Sequence, residues 1–187
     1  MTKPVGFDQI GFQIVWLISA AGAARELSWP GITASTLLLG CHVGWTTGKR
    51  SSALVIVTTG AVGLLAETAL VASGLIAYSA AWPSAAIAPA WIVTLWLAFA
   101  VMIAPLRRTM GSHALAKSAL LGCATGPFSY LAAERMGAAA LPPVPTLWLS
   151  YLAVAVIWGL ALPLLMMAEQ RFDAAAVEPS VEPEPRT

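Results

Sequence analysis

Charged residues are scarce in this sequence. Asp, Glu, Lys and Arg together make up 10% of the 187 residues, whereas 58% are hydrophobic. Soluble domains carry about a quarter charged residues, and a chain with a mean hydropathy of +0.78 cannot bury its apolar surface in a water-soluble core. The composition therefore predicts an integral membrane protein. A net charge of +1 lacks the basic footprint of nucleic-acid binding, so no nucleic-acid partner is expected.

Cysteine and histidine are scarce as well, with two of each. Cys41 and Cys123 lie in apolar stretches without CxxC spacing, and His42 points about 100° away from its neighbour Cys41 on a helix. We therefore expect no metal site and no cofactor. The sequence contains no recognisable Ser/His/Asp or Cys/His constellation and no nucleotide-binding fingerprint. It gives no support to a soluble-type enzyme mechanism, although it leaves enzyme activity open.

Six apolar stretches are long enough to cross a bilayer, since a spanning helix needs about 20 mostly apolar residues. We predict an all-α membrane bundle of six transmembrane helices within residues 1–172, because backbone inside lipid must satisfy its own hydrogen bonds. Residues 173–187 are rich in Glu and Pro and are predicted to form a disordered cytoplasmic tail. The approximate spans are 8–25, 31–47, 52–78, 88–106, 114–137 and 147–168.

The basic residues predict the orientation of the bundle. With both chain ends in the cytoplasm, eight of the ten Lys and Arg residues lie inside and only Arg25 and Arg135 lie outside, as the positive-inside rule favours. If the long stretch 52–78 were two short helices, every later segment would change sides, and Arg107, Arg108 and Lys117 would lie outside, against the positive-inside rule. We therefore predict one long tilted helix there.

The first span has a competing interpretation. Residues 1–24 contain an apolar run followed by small residues, which is also the pattern of a signal peptide. Lys3 is the single basic residue at this end and is offset by Asp8, and Gln13 interrupts the apolar run. These features favour a first transmembrane helix.

Glu67 is the strongest candidate for function, because an ionisable side chain inside lipid is costly and needs a partner or a purpose. Gly60, Gly63 and Gly74 share a helical face with it. A face of glycines admits a neighbouring helix, so Glu67 is predicted to point into the bundle. The alternative is a hydrogen-bonded packing residue. The predicted ligand or proton site in the outer half consists of Glu67, Ser129, Tyr130 and Arg135.

Two further polar features accompany this site. Gln13 and His42 lie at similar depth in the first and second spans, and we predict that they form an inner polar layer, more readily explained as interhelical contact than as function. Gly126 and Pro127 are predicted to kink or break the fifth helix, because proline removes a backbone hydrogen bond. Weak GxxxG signals for close helix crossing occur at 40–44 and 122–126.

Several motifs along the chain are shared with a known family. They are Phe12-Gln13-x-x-Trp16, His42, Glu67 followed by Gly74, Pro89-x-Trp91 with Leu95-Trp96, and Gly126-Pro127-x-Ser129-Tyr130-x-Ala132-Ala133-x-Arg135-Met136-Gly137-Ala138. Together they resemble the bacterial domain-of-unknown-function family 2878 over nearly the whole chain up to the tail, and 126–138 is the most specific part. The resemblance implies a multi-pass protein of the proteobacterial inner membrane without an established activity.

The resemblance also bears on lipids. Members of this family often occur beside fatty-acid and phospholipid modifying enzymes, which implies a role in envelope lipid handling with membrane lipids and such enzymes as partners. Glu67 stands where the family usually has an aspartate, so the carboxylate is kept. The stretch 101–106 replaces a more polar segment, which weakens any polar role for that end of the fourth helix.

Three functions are therefore compatible with the sequence. The first is an accessory protein in envelope lipid or fatty-acid handling that uses the outer-half site. The second is a small proton-coupled transporter in which Glu67 titrates. The third is a non-catalytic scaffold that holds partner enzymes through its loops and tail.

Overall fold

The computed structural model describes residues 6–142 and 147–177, which form six helices and one small sheet. Strands β1 (Ala77–Tyr78) and β2 (Ala139–Ala140) pair antiparallel, with Ala77 opposite Ala140. The predicted all-α architecture of six helices is confirmed, with this two-stranded sheet as an addition. The helices are α1 (Phe7–Ala23), α2 (Trp29–Trp45), α3 (Lys49–Ala72), α4 (Ala90–Met110), α5 (Ala114–Met136) and α6 (Leu147–Val177).

The bundle has two distinct ends, which we call the sheet end and the Lys49 end. At the sheet end, the connection between α1 and α2 is fastened to the loop before α4. Ser28 Oγ donates to the carbonyl of Ala80 at 2.8 Å, and the amide of Ala80 donates to the Glu26 carboxylate at 2.7 Å. At the Lys49 end, Arg107 of α4 pairs with Glu169 of α6 at 2.5 Å.

Helix α4 lies at the centre of the bundle and packs against α1, α2, α3 and α6. Its side chains from Trp91 to Ile103 supply much of the buried core. The outer surface is apolar: Leu65, Leu120 and Phe128 are 72%, 73% and 71% exposed. Such a surface suits contact with lipid. Three of the described helices, α3, α4 and α6, are long and apolar enough to cross a membrane.

The third apolar stretch forms one helix, as predicted, but it ends earlier than residue 78. Helix α3 stops at Ala72, and Gly74 adopts a left-handed conformation (φ +71°) that glycine tolerates best. The amide of Leu75 then bonds the carbonyl of Leu70 at 3.1 Å, and the chain turns back. Gly74 is therefore a helix terminator and does not share the packed face of Glu67, and Tyr78 lies in β1.

A kink or a break was predicted at Gly126 and Pro127, and the break does not occur. Helix α5 runs continuously from Ala114 to Met136 with Pro127 inside it. Gly122 and Gly126 lie where α5 packs directly against α6. A Cβ atom on Gly122 would come 2.2 Å from the carbonyl oxygen of Trp158, and one on Gly126 would meet the Trp158 side chain at 2.8 Å.

The end of the chain also differs from expectation. Helix α6 continues past the predicted span to Val177, so residues 173–177 are helical where an extended tail was predicted. The rest of the predicted tail, 178–187, lies outside the described residues, as do positions 143–146 of the proline-rich connection before α6.

Candidate functional site

Glu67 lies five residues before the end of α3 and is completely buried, with 0% of its surface exposed. The sequence-based expectation that it faces the bundle interior agrees with this position. One turn earlier, Gly63 makes room for the indole of α4: a Cβ atom there would come 2.1 Å from Trp96 Cγ. Gly60 has the same relation to Leu97, at 2.3 Å. The glycines let α4 approach α3 until its indole reaches the carboxyl group.

Three neutral donors surround the Glu67 carboxyl group. Trp96 Nε1 donates to Oε1 at 2.7 Å, the Tyr78 hydroxyl donates to Oε2 at 2.5 Å, and the Tyr130 hydroxyl donates to Oε1. They come from α4, β1 and α5, so the carboxyl group connects four separate elements. A carboxylate accepts about four hydrogen bonds, and the described side chains supply three. One acceptor position is left for a further group.

Of the other three residues of the predicted outer site, only one contacts the Glu67 carboxyl group. Tyr130 is at the carboxyl group, as expected. Ser129 is nearby but donates to the carbonyl of Thr125 at 3.1 Å, and Arg135 is exposed at the end of α5. Arg135 therefore does not belong to the site, because long basic side chains near a helix end turn outward to the polar surface.

Sequence reasoning missed Tyr78 and Trp96 as partners of Glu67. Tyr78 was included as the last residue of the predicted span 52–78, because the turn at Gly74 that folds it back over the helix end leaves no periodic signal. Trp96 was recognisable, because it lies six residues into α4 from the sheet end and Glu67 lies five residues from the same end of α3, so the two are at nearly the same depth. A buried carboxyl group needs donors at its own depth, and that requirement would have selected this indole.

A cavity of about 270 Å³ opens beside the carboxyl group, and we call it the Glu67 cavity. Along α4 it extends from Ile92 to Leu106, which corresponds to about 21 Å at the helical rise. Its remaining wall is mostly apolar and aromatic. The residues lining it are Phe12, Gln13, Trp16, Glu67, Ile92, Leu95, Trp96, Phe99, Met102, Leu106, Leu121, Thr125, Gly126, Ser129, Tyr130, Trp158 and Leu162.

The Glu67 cavity opens sideways between α1 and α5. Gln13 of α1 and Thr125 of α5 both line it and are exposed on the outer surface of the bundle. These two helices make few contacts with each other, which leaves a gap between them. The side chains of α4 form another wall of the cavity. The mouth therefore faces the apolar surroundings of the bundle.

An aromatic cluster forms the inner wall of the cavity. Trp96 and Trp158 stack with ring centroids 4.5 Å apart, and Phe99 meets Trp158 edge to face at 5.2 Å. The Trp158 N–H is buried near the Tyr130 hydroxyl but forms no hydrogen bond of good geometry within the described part of the chain. The cavity thus has an acceptor position at Glu67 and an unused donor at Trp158.

The predicted layer of Gln13 and His42 does not form. Gln13 lines the Glu67 cavity, whereas His42 contacts Asp8 of α1 and Ser52 of α3. Asp8 and Gln13 are five residues apart and so lie roughly 140° apart around α1. The helix cannot turn both toward His42, and it is Asp8 that faces the imidazole.

His42 lies at the Lys49 end beside a second cavity of about 420 Å³, which we call the His42 pocket. The imidazole Nδ1 is 3.3 Å from Asp8 Oδ1, and Nε2 is 3.2 Å from Ser52 Oγ. Thr46 Oγ1 is also near Nε2, at 3.5 Å. Arg108, Glu169 and Asp173 are among the other residues lining this pocket. Within the described ranges, no group of three or more His, Cys, Asp or Glu side chains is arranged to hold a metal ion.

These features define a class of protein: an all-helical bundle with an apolar exterior, a buried carboxyl group and a cavity open to the side. Residues 7–164 match the family model described as Protein of unknown function (DUF2878), and the chain belongs to that family. No curated protein and no solved structure matches the chain. The family assignment confirms the resemblance deduced from the sequence motifs and leaves the activity to be inferred from the site.

Proposed function

We propose that the protein is a six-span bacterial inner-membrane protein that binds a single-chain lipid in the Glu67 cavity, as an accessory in envelope lipid or fatty-acid handling. The observation that supports this most directly is the lateral opening of an apolar cavity about 21 Å long that has one carboxyl group in its wall. An extended acyl chain has this shape and polarity. It would enter from the bilayer between α1 and α5.

The polar groups of the cavity define the headgroup that it accepts. Glu67 has one acceptor position left, and Trp158 has an unused N–H. A hydroxyl group can donate to the first and accept from the second. A phosphate or free carboxylate would bring negative charge to a carboxyl group, and no Lys or Arg among the described residues lines the cavity to offset it. The proposed ligand is therefore an uncharged, hydroxyl-bearing lipid.

Native mass spectrometry of the protein extracted from membranes tests this proposal. Thr125→Trp narrows the mouth of the cavity, and Phe128→Trp adds the same side chain to the lipid-facing surface of the same helix. We expect wild type and Phe128→Trp to retain an uncharged lipid, and Thr125→Trp to lose most of it. Equal retention in both variants, or retention of anionic lipid alone, would contradict the proposal.

A proton-coupled transporter is the second candidate, favoured by the depth of the cavity and by its carboxyl group. Many secondary transporters bind their substrate at a discontinuous helix, and the continuous α5 does not supply one. In proteoliposomes, a pH gradient would drive uptake of the retained lipid or of a small hydrophobic solute, and Glu67→Gln would abolish that uptake. Flux that persists in Glu67→Gln would exclude Glu67 as the titrating group.

The basic residues supply the proposed orientation. Lys49, Arg50, Arg107, Arg108 and Lys117 lie at the Lys49 end, which we assign to the cytoplasm. A scaffold role, with membrane-associated lipid-modifying enzymes as partners, would use this face and the tail. Deletion of 178–187 would then abolish recovery of those enzymes with the protein, whereas substitutions in the Glu67 cavity would leave it unchanged.

A further inference from the structure

The second cavity carries an arrangement that the Glu67 site does not explain. Asp8, His42 and Ser52 come from the start of α1, the end of α2 and the start of α3. The imidazole contacts a carboxylate oxygen with one nitrogen, at 3.3 Å, and a serine hydroxyl with the other, at 3.2 Å. We propose that these three residues form a Ser-His-Asp catalytic site that hydrolyses an acyl ester at the Lys49 end of the bundle.

The contacts of the imidazole define the role of each residue. A hydrogen bond from Nδ1–H to Asp8 keeps the proton on that nitrogen, so Nε2 presents its lone pair. Nε2 then accepts from the Ser52 hydroxyl and serves as its general base. Both distances are longer than those of a tight hydrogen bond, and such contacts often shorten only when a substrate is bound. Asp8 acts through His42 and is a positioning residue.

The surroundings suit this chemistry. Asp8 is 6% exposed and its carboxylate contacts the imidazole, whereas Ser52 is only partly buried and lines the His42 pocket. The Ser52 amide bonds the Gly48 carbonyl at 3.0 Å and the Lys49 amide bonds the Thr47 carbonyl at 3.1 Å. Between them, the amides of Arg50 and Ser51 lie in the first turn of α3, where a helix does not supply acceptors to its own amides. These amides and the positive end of the helix dipole are the candidate stabilisers of an oxyanion.

The pocket also indicates the class of substrate. Part of its wall on α3 and α4 is apolar and consists of Val55, Ile56, Ala100 and Val101, while Ser51, Ser52 and Arg108 of the same helices are polar. Its charged rim contains Arg108 and Asp173, while Glu169 is engaged by Arg107 at 2.5 and 3.2 Å. An ester whose acyl chain lies along α4 and whose alcohol portion faces the polar rim fits this division. The substrate is therefore a carboxylic ester of a fatty acid.

The proposed reaction uses water and no other reactant. Ser52 Oγ attacks the ester carbonyl carbon and passes its proton to His42 Nε2. The ester C–O bond breaks, and the alcohol leaves with the proton from His42. Water then gives a proton to His42 and attacks the acyl-Ser52 carbonyl. The fatty acid is released, and the proton returns from His42 to Ser52 Oγ.

Labelling with a long-chain alkyl fluorophosphonate tests the site directly. This probe forms a bond between Ser52 Oγ and phosphorus and releases fluoride. We expect the full-length protein to acquire one adduct, which peptide mass spectrometry locates at Ser52. Ser52→Ala abolishes labelling, and His42→Ala slows it about 100-fold, as expected for loss of a general base. Ser73→Ala, at the other end of α3, labels like wild type.

Stability controls separate catalysis from folding. Each variant is examined by size-exclusion chromatography and thermal unfolding in the same detergent. Asp8→Asn labels about 100-fold more slowly, and Asp8→Glu, which keeps the carboxylate, recovers part of the rate at equal thermal stability. The proposal is overturned if folded wild-type protein is not labelled, if Ser52→Ala is still labelled, or if His42→Ala labels at the wild-type rate.

Discussion

The Glu67 cavity and the His42 pocket each contain a carboxyl group that is largely withdrawn from water, but its partners differ. Glu67 is 0% exposed and accepts from two phenols and an indole, none of which exchanges protons readily near neutral pH. Asp8 is 6% exposed and faces an imidazole that also contacts a serine. In the functions proposed above, the first arrangement fixes structure and recognises a ligand, whereas the second transfers a proton.

The comparison predicts its largest stability effect at Glu67. Glu67→Ala leaves three buried donors without an acceptor, and we expect a loss of about 3–5 kcal/mol, since each unsatisfied group costs about 1–3 kcal/mol. Thermal unfolding in detergent would show the midpoint falling by roughly 10 °C. Glu134→Ala, which removes one acceptor of the Tyr151 hydroxyl at the sheet end, is the control with a small effect. A wild-type midpoint in Glu67→Ala would refute the structural role of the carboxyl group.

The two GxxxG motifs provide the next comparison. Gly122→Ala places a methyl group 2.2 Å from the Trp158 carbonyl oxygen, and we expect a loss of about 1–3 kcal/mol through overpacking. A Cβ atom on Gly40 meets nothing within 4 Å, so Gly40→Ala should be neutral or stabilise α2 by up to about 1 kcal/mol. The measurement is the thermal unfolding midpoint of each variant relative to wild type. If Gly122→Ala changed the midpoint as little as Gly40→Ala, α5 and α6 would not be in close contact at Gly122.

Each phenol around Glu67 should contribute less to the free energy of unfolding than Glu67 does, and the contributions of the two phenols should be coupled. Tyr78→Phe and Tyr130→Phe each remove one hydrogen bond to the same carboxyl group, and we expect a loss of about 1–1.5 kcal/mol each. A double-mutant cycle on the unfolding midpoints should give a coupling energy of at least about 0.5 kcal/mol. Strict additivity would indicate that the two hydroxyl groups do not share an acceptor.

His42 should give the smallest stability effect of the set. His42→Ala is expected to cost about 1 kcal/mol or less, because its contacts lie in a polar pocket where such a pair contributes little. The same substitution should nearly abolish fluorophosphonate labelling, which Glu67→Ala should affect only as far as it unfolds the protein. A loss of stability at His42 equal to that at Glu67 would remove the distinction between the two cavities.

Several parts of the site followed from the sequence. The cost of a charge in lipid singled out Glu67, helical spacing put Gly60 and Gly63 on its face, and depth in the bundle selected Tyr130. Tyr78 could not be found in this way, since its approach depends on the turn at Gly74. The Asp8–His42–Ser52 cluster was missed as well, because its members come from three helices and no sequence spacing relates them.

Composition and hydropathy alone determined that this chain forms apolar helices, because a backbone with so little polar surface around it must satisfy its own hydrogen bonds. The family also followed from motifs in the sequence. The tertiary structure decided which polar side chains meet, which GxxxG motif is packed and where the helices leave open space. Those outcomes depend on the rotation and depth of each helix against its neighbours, and these are properties of the packed bundle that a single helix does not encode.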